Sequence, residues 1–226
     1  MQLAHAFNVE IDQYVVRRIL AQFGNSNTGG DGPSWLSFFG QMKDSLWSVD
    51  LFRCESILLK THWVMVVMDQ FTRRIVGSVV HAGSVDGITL CCMFNKIISN
   101  KALPAYISSD NDPLFQFHRW RANLRVLGIE EIKTVPYAPM SHPYIERLIG
   151  TIRRECLDQM LFWNETDLQN KLEKFIKYYN DCRCHWSLKG STPKDIANNN
   201  VTKSMDIQHY YWKKYCNGLY ELPTAA

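Results

Sequence analysis

Three stretches near the start of the chain's central part carry the strand pattern. Ser45–Phe52, His62–Met68 and Arg74–Val80 are rich in β-branched and aromatic residues, and Asp69-Gln70-Phe71-Thr72 supplies a turn between the last two. They predict an antiparallel meander. From Ser84 to Lys101 the period becomes helical: Ile88, Leu90, Met93, Phe94 and Ile97 share one face, and Ser84 stands where an N-cap is expected. Ala105–Ser108 reads as a short buried strand, Phe115–Leu127 as a second helix, and Glu131–Val135 as a strand closed by Pro136. Tyr144–Leu161 places apolar residues at 145, 148, 149, 152, 156 and 157, a third helix. Thr166-Asp167-Leu168-Gln169 resembles a capping box that opens a helix to about Asn180, with Leu168, Leu172, Phe175, Ile176 and Tyr179 on its apolar face.

The order is three strands, helix, strand, helix, strand, helices. Meander strands followed by βα crossovers imply an α/β chain with a mixed five-stranded sheet flanked by helices. This is the element order of a ribonuclease H-like fold. Ahead of it, residues 9–22 read as a short helix, with Val15, Ile19 and Leu20 at helical spacing beside Arg17 and Arg18. That helix is either an amphipathic packing helix or the last helix of a helix-turn-helix. Residues 24–33 (Gly-Asn-Ser-Asn-Thr-Gly-Gly-Asp-Gly-Pro) read as a linker. The expected organisation is a helical segment at 1–23, the linker at 24–33, a core at 40–200 and a C-terminal tail at 201–226.

Composition narrows this only slightly. In 226 residues, 46% are hydrophobic and 21% charged, which suits one main globular domain with small appendages. The net charge of +3 says little, but its distribution says more. Residues 113–154 hold seven basic side chains (Arg119, Arg121, Arg125, Lys133, Arg147, Arg153, Arg154) against Glu130, Glu131 and Glu146. Taken alone, such a cluster is ordinarily a solvated face. Seven cysteines form no regular framework, and Cys182-Arg183-Cys184-His185 lacks a second ligand pair for zinc. Reduced thiols in a cytosolic protein are expected. No basic-then-apolar leader pattern opens the chain, and the longest apolar run, Trp63–Met68, is far short of the ~20 residues of a membrane span.

The candidate chemistry lies in Asp50, Asp110 and Glu146. Asp50 ends the run Trp47-Ser48-Val49-Asp50, Asp110 ends Tyr106-Ile107-Ser108-Ser109-Asp110, and Glu146 opens the helix after Pro143. Ligand sites of α/β sheets favour the carboxyl ends of parallel strands, which suits the two aspartates. Three converging carboxylates without matching His or Cys suit hard, oxygen-seeking cations such as magnesium. Two such ions about 4 Å apart clamp the attacking and leaving oxygens of a phosphodiester. Each acid also has a structural explanation: a strand end, a turn beside Asn111 and Asp112, and a first-turn helix acid favoured by the dipole. Asp69 and Asp112 suit turns and are set aside.

Thirty-five residues separate Asp110 from Glu146. That spacing resembles the DDE catalytic core of retroviral-type integrases and bacterial insertion-sequence transposases. The stretch His142-Pro-Tyr-Ile-Glu-Arg-Leu-Ile-Gly-Thr-Ile-Arg-Arg-Glu155 is similar to their "N-A-x-x-E-R-x-x-x-T-x-R-R-E". Tyr179-Asn-Asp-Cys-Arg-Cys-His-Trp-Ser-Leu-Lys-Gly-Ser-Thr-Pro193 looks like their "Y-N-x-x-R-P-H-x-x-L-x-x-x-T-P", with Cys184 in place of Pro and Trp186 in place of a small residue. The resemblance covers roughly residues 40–200. It implies that Asp50, Asp110 and Glu146 are catalytic and hold two Mg²⁺ ions, Mn²⁺ being a possible substitute. It implies an enzyme that nicks element ends and joins the 3′-OH to target double-stranded DNA, as a homo-oligomer in the bacterial cytoplasm, at the nucleoid. His142, Arg147, Arg153, Arg154 and Lys133 are the expected DNA contacts; Arg153, nearly two helical turns after Glu146, shares its face by count. Arg183 and His185 are expected to support the sheet edge or approach DNA. The alternatives are a catalytically idle, DNA-binding remnant and a ribonuclease H-like nuclease that only hydrolyses. A flavodoxin-like small-molecule binder is disfavoured, because no glycine-rich phosphate loop follows the first strand.

Overall fold

The computed structural model describes residues 46–110, 112–133, 143–199 and 210–225. The expected N-terminal helix and linker lie outside them. Strands β1 (Leu46–Glu55), β2 (Thr61–Asp69) and β3 (Ile75–Ala82) form the antiparallel meander. β4 (Tyr106–Ser109) pairs parallel with β1, and β5 (Glu130–Lys133) pairs parallel with β4. The result is the expected mixed five-stranded sheet, in the order β3-β2-β1-β4-β5.

Both faces of this sheet are covered, which explains why β2 reads as an unbroken apolar run. Val64, Val66 and Met68 face one layer; Met65 and Val67 face the other; all are buried. On the second face lie α1 (Gly87–Ile98) and α2 (His118–Val126), through Leu90, Phe94, Trp120 and Leu124. On the first lie α3 (Pro143–Glu155) and α4 (Glu165–Asp181), through Ile145, Leu148, Ile152, Leu168, Leu172 and Phe175. A short helix, α5 (Pro193–Asn198), begins with a Thr192–Asp195 capping box and Pro193 at its first position.

Local chemistry moved several predicted boundaries. The cap of α1 is Asp86, not Ser84: its carboxylate accepts from the Thr89 N–H at 2.8 Å and adds a negative charge at the positive helix end. The cap of α4 is Asn164, whose Oδ1 accepts from Asp167 N–H at 3.0 Å, while the Asp167 carboxylate reaches back to the Trp163 N–H. Thr166 therefore sits inside the first turn. The predicted helix at 115–127 splits at Phe117, whose extended backbone separates a 3₁₀ turn at Pro113–Gln116 from α2. That break seats Phe115 and Trp120 edge-to-face with each other, and Trp120 edge-to-face with Phe94. The helix predicted to run to Leu161 stops at Glu155, because Cys156 leaves helical geometry while staying fully buried. The chain then turns so that Phe162 re-enters the core.

Two features follow from the need to pair buried backbone. β3 is an edge strand, and α4 covers that edge with side-chain amides. Asn180 accepts from the Ile75 N–H and donates to the Ile75 carbonyl, each at 2.9 Å, as a strand partner would. Gln169 does the same for the Val80 N–H (3.0 Å) and the Ser78 carbonyl (3.2 Å). At the C-terminal end, where the sequence pattern gave no element, β6 (Tyr210–Tyr215) and β7 (Tyr220–Ala225) form a hairpin. It docks on α4 by a flat Tyr178–Tyr220 stack, centroids 4.2 Å apart. No helix among the described residues is long and apolar enough to cross a membrane.

Asn180→Leu leaves the Ile75 N–H and C=O buried without partners. It is expected to lower unfolding free energy by about 2–4 kcal/mol in urea titration, with Gln169→Leu costing less because that side chain is more exposed.

Candidate active site

The strand register places the two aspartates. The last parallel pair between β1 and β4 is Ser48↔Ser108, so Asp50 and Asp110 each stand two residues beyond it. Side chains alternate along a strand. Val49 and Ile107 point into the α1–α2 layer, so Ser48, Asp50 and Asp110 turn toward the α3 side, as Phe52 does. Glu146 lies in the first turn of α3, which packs on that side through Ile145 and Leu148.

Electrostatics record the convergence. Burial raises the Asp50 carboxyl most, and Asp110 adds to it. The Leu51 N–H, 2.7 Å from Asp50 Oδ1, opposes them, and Glu146 and Asp112 raise it further, so that its pKa is pushed up to about 7. Glu146 is also raised, by burial and then by Asp110. Asp110 Oδ1 accepts from the Asp112 N–H at 3.1 Å. Asp112 itself caps the 3₁₀ turn through the Leu114 N–H, and Asp69 holds the β2–β3 turn through the Phe71 N–H, both as expected of turn acids. Among the described residues, no three His, Cys, Asp or Glu side chains stand close enough to hold an ion as placed. The donor set at Asp50, Asp110 and Glu146 is nevertheless all oxygen, and its mutual repulsion is what a hard cation relieves.

The basic residues separate. Arg147 and Arg154 are exposed on α3. Arg153 is exposed but turned to β1: its Nη2 donates to the Arg53 carbonyl at 3.2 Å, with the guanidinium 5.2 Å from the Phe52 ring. Lys133 closes β5 opposite Ser109, one residue before Asp110. His142 lies outside the described residues.

Pairing between the two late motifs was not legible from spacing. Arg183 grips Glu155 with both arms, Nε to Oε2 at 2.8 Å and Nη2 to Oε1 at 2.7 Å. The end of α3 is thereby fixed to the segment after α4. His185 packs edge-on to Tyr179, ring centroids 4.8 Å apart. Burial, then Arg183 and Arg73, push its pKa down to about 4, so it is neutral at pH 7. Arg73, in the β2–β3 turn, lies with its guanidinium 3.2 Å from the centroid of Tyr144, two residues before Glu146. No pattern in the sequence marked Arg73. Trp186, one of the departures from the family pattern, is 71% exposed and starts a 3₁₀ turn, so it adds little to the packing.

Raising a carboxyl's pKa in the folded state carries a stability cost. The folded form keeps the Asp50 proton to about pH 7, whereas the unfolded chain releases it near 3.8. Stability is thus undiminished below the lower value and is lost as pH rises to 7. Asp50→Asn removes that loss. In metal-free buffer it is expected to melt above wild type at pH 8 and level with it near pH 3.5, by up to about 4 kcal/mol. Equal melting temperatures at pH 8 would contradict this.

An integrase core domain model matches residues 127–193. The uncharacterized 39.2 kDa protein of insertion element IS476 from Xanthomonas euvesicatoria is 27% identical over 72% of this chain and 46% of its own length. The transposase for insertion sequence element IS904 of Lactococcus lactis is 25% identical over 62% of this chain and 56% of its own. The chain thus spans about half the length of these curated relatives. Among solved structures, the simian T-cell lymphotropic virus intasome in complex with PP2A regulatory subunit B56 gamma matches at TM-score 0.59 and 15% identity, covering 80% of this chain and 66% of that one. The HTLV-2 integrase catalytic core domain in complex with magnesium matches at TM-score 0.54 and 18% identity, covering 70% of this chain and 98% of that one. These structural likenesses are of fold. Fold and sequence therefore meet on one group: the chain has the architecture of retroviral integrase catalytic cores and resembles the transposases of bacterial insertion sequences.

Proposed function

We propose that residues 40–200 are the catalytic core of a polynucleotidyl transferase of a mobile genetic element. It nicks element ends and joins the freed 3′-OH to target DNA. One observation carries this reading: carboxyls from β1, from the end of β4 and from the first turn of α3 share a single electrostatic environment. Asp50, which feels both others, would bridge two divalent ions, while Asp110 and Glu146 would each complete one site. Magnesium fits the oxygen donors, with manganese as a substitute; the HTLV-2 core was solved in complex with magnesium. When bound, such ions lower the pKa of an attacking water or 3′-hydroxyl and stabilise charge on the scissile phosphate.

The chain's own groups position the substrate. Arg147 and Arg154 offer phosphate contacts beside Glu146, and Lys133 offers one beside Asp110. His142, just before α3, is placed by sequence to join them. Arg153 contributes only if it exchanges the Arg53 carbonyl for a phosphate, so Arg147 is the stronger contact. Phosphate contacts fix position rather than sequence. Two element ends require at least two copies, acting on nucleoid DNA in the cytoplasm.

A strand-transfer assay on DNA carrying the ends that flank the gene, with Mg²⁺ or Mn²⁺, tests this. Asp50→Asn, Asp110→Asn and Glu146→Gln are each expected to cut activity by 10³-fold or more, on the order of 4 kcal/mol of barrier, with unchanged circular dichroism. Normal joining by any folded variant would remove that residue from the site. Cleavage without joining would favour a hydrolytic nuclease, and binding of ends without nicking an idle remnant. Arg147→Glu is expected to weaken DNA binding and flatten its salt dependence more than Arg153→Glu does.

A further inference from the structure

A second cluster, cationic rather than acidic, adjoins the first turn of α3. Arg73 takes a left-handed backbone (φ 63°) in the β2–β3 turn and stacks on Tyr144 at 3.2 Å. Arg147 and Tyr179 are both near enough to act on its charge. His185 packs edge-on to Tyr179 and feels Arg73 as well.

Hydrogen-bond accounting fixes the character of this cluster. Arg183 Nη1 stands 3.3 Å from His185 Nδ1. A guanidinium only donates, so Nδ1 is the acceptor and the imidazole proton sits on Nε2. That Nε2 is buried without a partner, as are Arg73 Nε and Nη1. Three N–H donors thus face no acceptor among the described residues. Arg183 cannot supply the missing negative charge, and its own carboxylate partner, Glu155, is held by both of its arms. An unmet buried donor is destabilising, and more so on a charged group. A water molecule could satisfy a donor but not the charge. The complement is an oxyanion with several lone pairs. Arg73 and His185 are each partly exposed as residues, so the cluster lies just beneath the surface.

We propose that Arg73 and His185 form a phosphate subsite that holds one backbone phosphodiester of the DNA strand entering the carboxylate site. This rests on the nucleic-acid reading above and deepens it. Tyr144, two residues before Glu146, couples the two places. Arg73 binds its phosphate by charge and a charge-assisted hydrogen bond, while neutral His185 adds one directed hydrogen bond.

The test uses the full chain, a fluorescent duplex of arbitrary sequence without divalent metal, and affinity measured against salt. Arg73→Gln is expected to reduce the slope of log affinity on log salt by about one. Arg73→Lys keeps the slope and binds more weakly. His185→Phe, which preserves the packing on Tyr179, keeps the slope and loses roughly tenfold in affinity. Unchanged slope in a folded Arg73→Gln protein, or unchanged affinity in His185→Phe, overturns the subsite and leaves Arg73 as a stacking group alone. A parallel melting series with inorganic phosphate separates the sources: an Arg73-dependent rise in melting temperature with no change in the DNA slope assigns the site to a free anion and overturns the proposal. If wild type fails to bind duplex at all, the nucleic-acid reading falls with it; binding with an unchanged slope sinks only the subsite.

Discussion

A three-residue parallel pairing governs where this chain concentrates its negative charge. Leu46–Ser48 lie against Tyr106–Ser108, and from that register Asp50 and Asp110 emerge side by side on the face that α3 covers. A slip of one residue in β1 would turn Asp50 into the α1–α2 layer and Val49 out of it. The slip is resisted by fully buried Val49 on one side, and by Ser48, hydrogen-bonded to Gln70, on the other. β4 and β5 are held from below by one carboxylate: Glu131 Oε1 accepts from the Ser109 hydroxyl at 2.7 Å and from the Trp120 indole at 2.8 Å. The apolar core thus sets the geometry in which like charges are forced together.

The same logic explains the late motifs, which look unrelated in sequence. Glu155 ends α3 and Arg183 follows α4, and their two-armed contact ties the helix that carries Glu146 to the helix that seals the edge of β3. Asn180 and Gln169 seal it by satisfying Ile75, Ser78 and Val80 backbone groups. β3 leads directly from the turn that carries Arg73. An edge strand, a helix cap and a basic cluster are therefore one mechanical unit, fixed relative to the sheet centre where Asp50 sits.

How much of this was legible in the sequence depended on the range of the interaction. The meander, the helix faces and the mixed five-stranded sheet were readable, because burial imposes a period that local residues must obey. Asp110 follows its short strand as the pattern suggested, whereas Asp50, expected at a strand end, lies mid-strand because β1 stays paired with β2 as far as Glu55; the motifs around Glu146 supplied the third acid. Cap positions were misplaced where two polar residues competed within a few positions: Ser84 against Asp86, and Thr166 against Asn164. The stop of α3 at Glu155 was hidden because Cys156 and Leu157 continue the apolar period while the backbone departs from it. The hairpin at 210–225 was missed because its outward strand face, Tyr210 and Trp212, is exposed and mimics an unstructured aromatic tail. Arg73 was invisible for a different reason: its meaning lies in what it fails to pair with, and only coordinates reveal that.

The acidic and basic clusters make sense together. Burial, Asp110 and Glu146 raise the proton affinity of Asp50, and burial and Asp110 that of Glu146, while burial, Arg183 and Arg73 drive His185 the opposite way. Were these two groups meant to neutralise each other, the guanidinium of Arg73 would meet a carboxylate; it meets the face of Tyr144 instead. Tyr144 offers the cation a ring face and a hydroxyl contact but no full negative charge. Each cluster is therefore left with a charge of one sign, a few residues apart along α3. On the proposed reading, a polyanion would satisfy both at once, with Asp50, Asp110 and Glu146 holding the cations that accompany it and Arg73 meeting it directly. An electrically divided surface of this kind suits a phosphodiester backbone better than a small neutral ligand or an apolar partner, because neither of those offers alternating ties to metal and guanidinium along one strand.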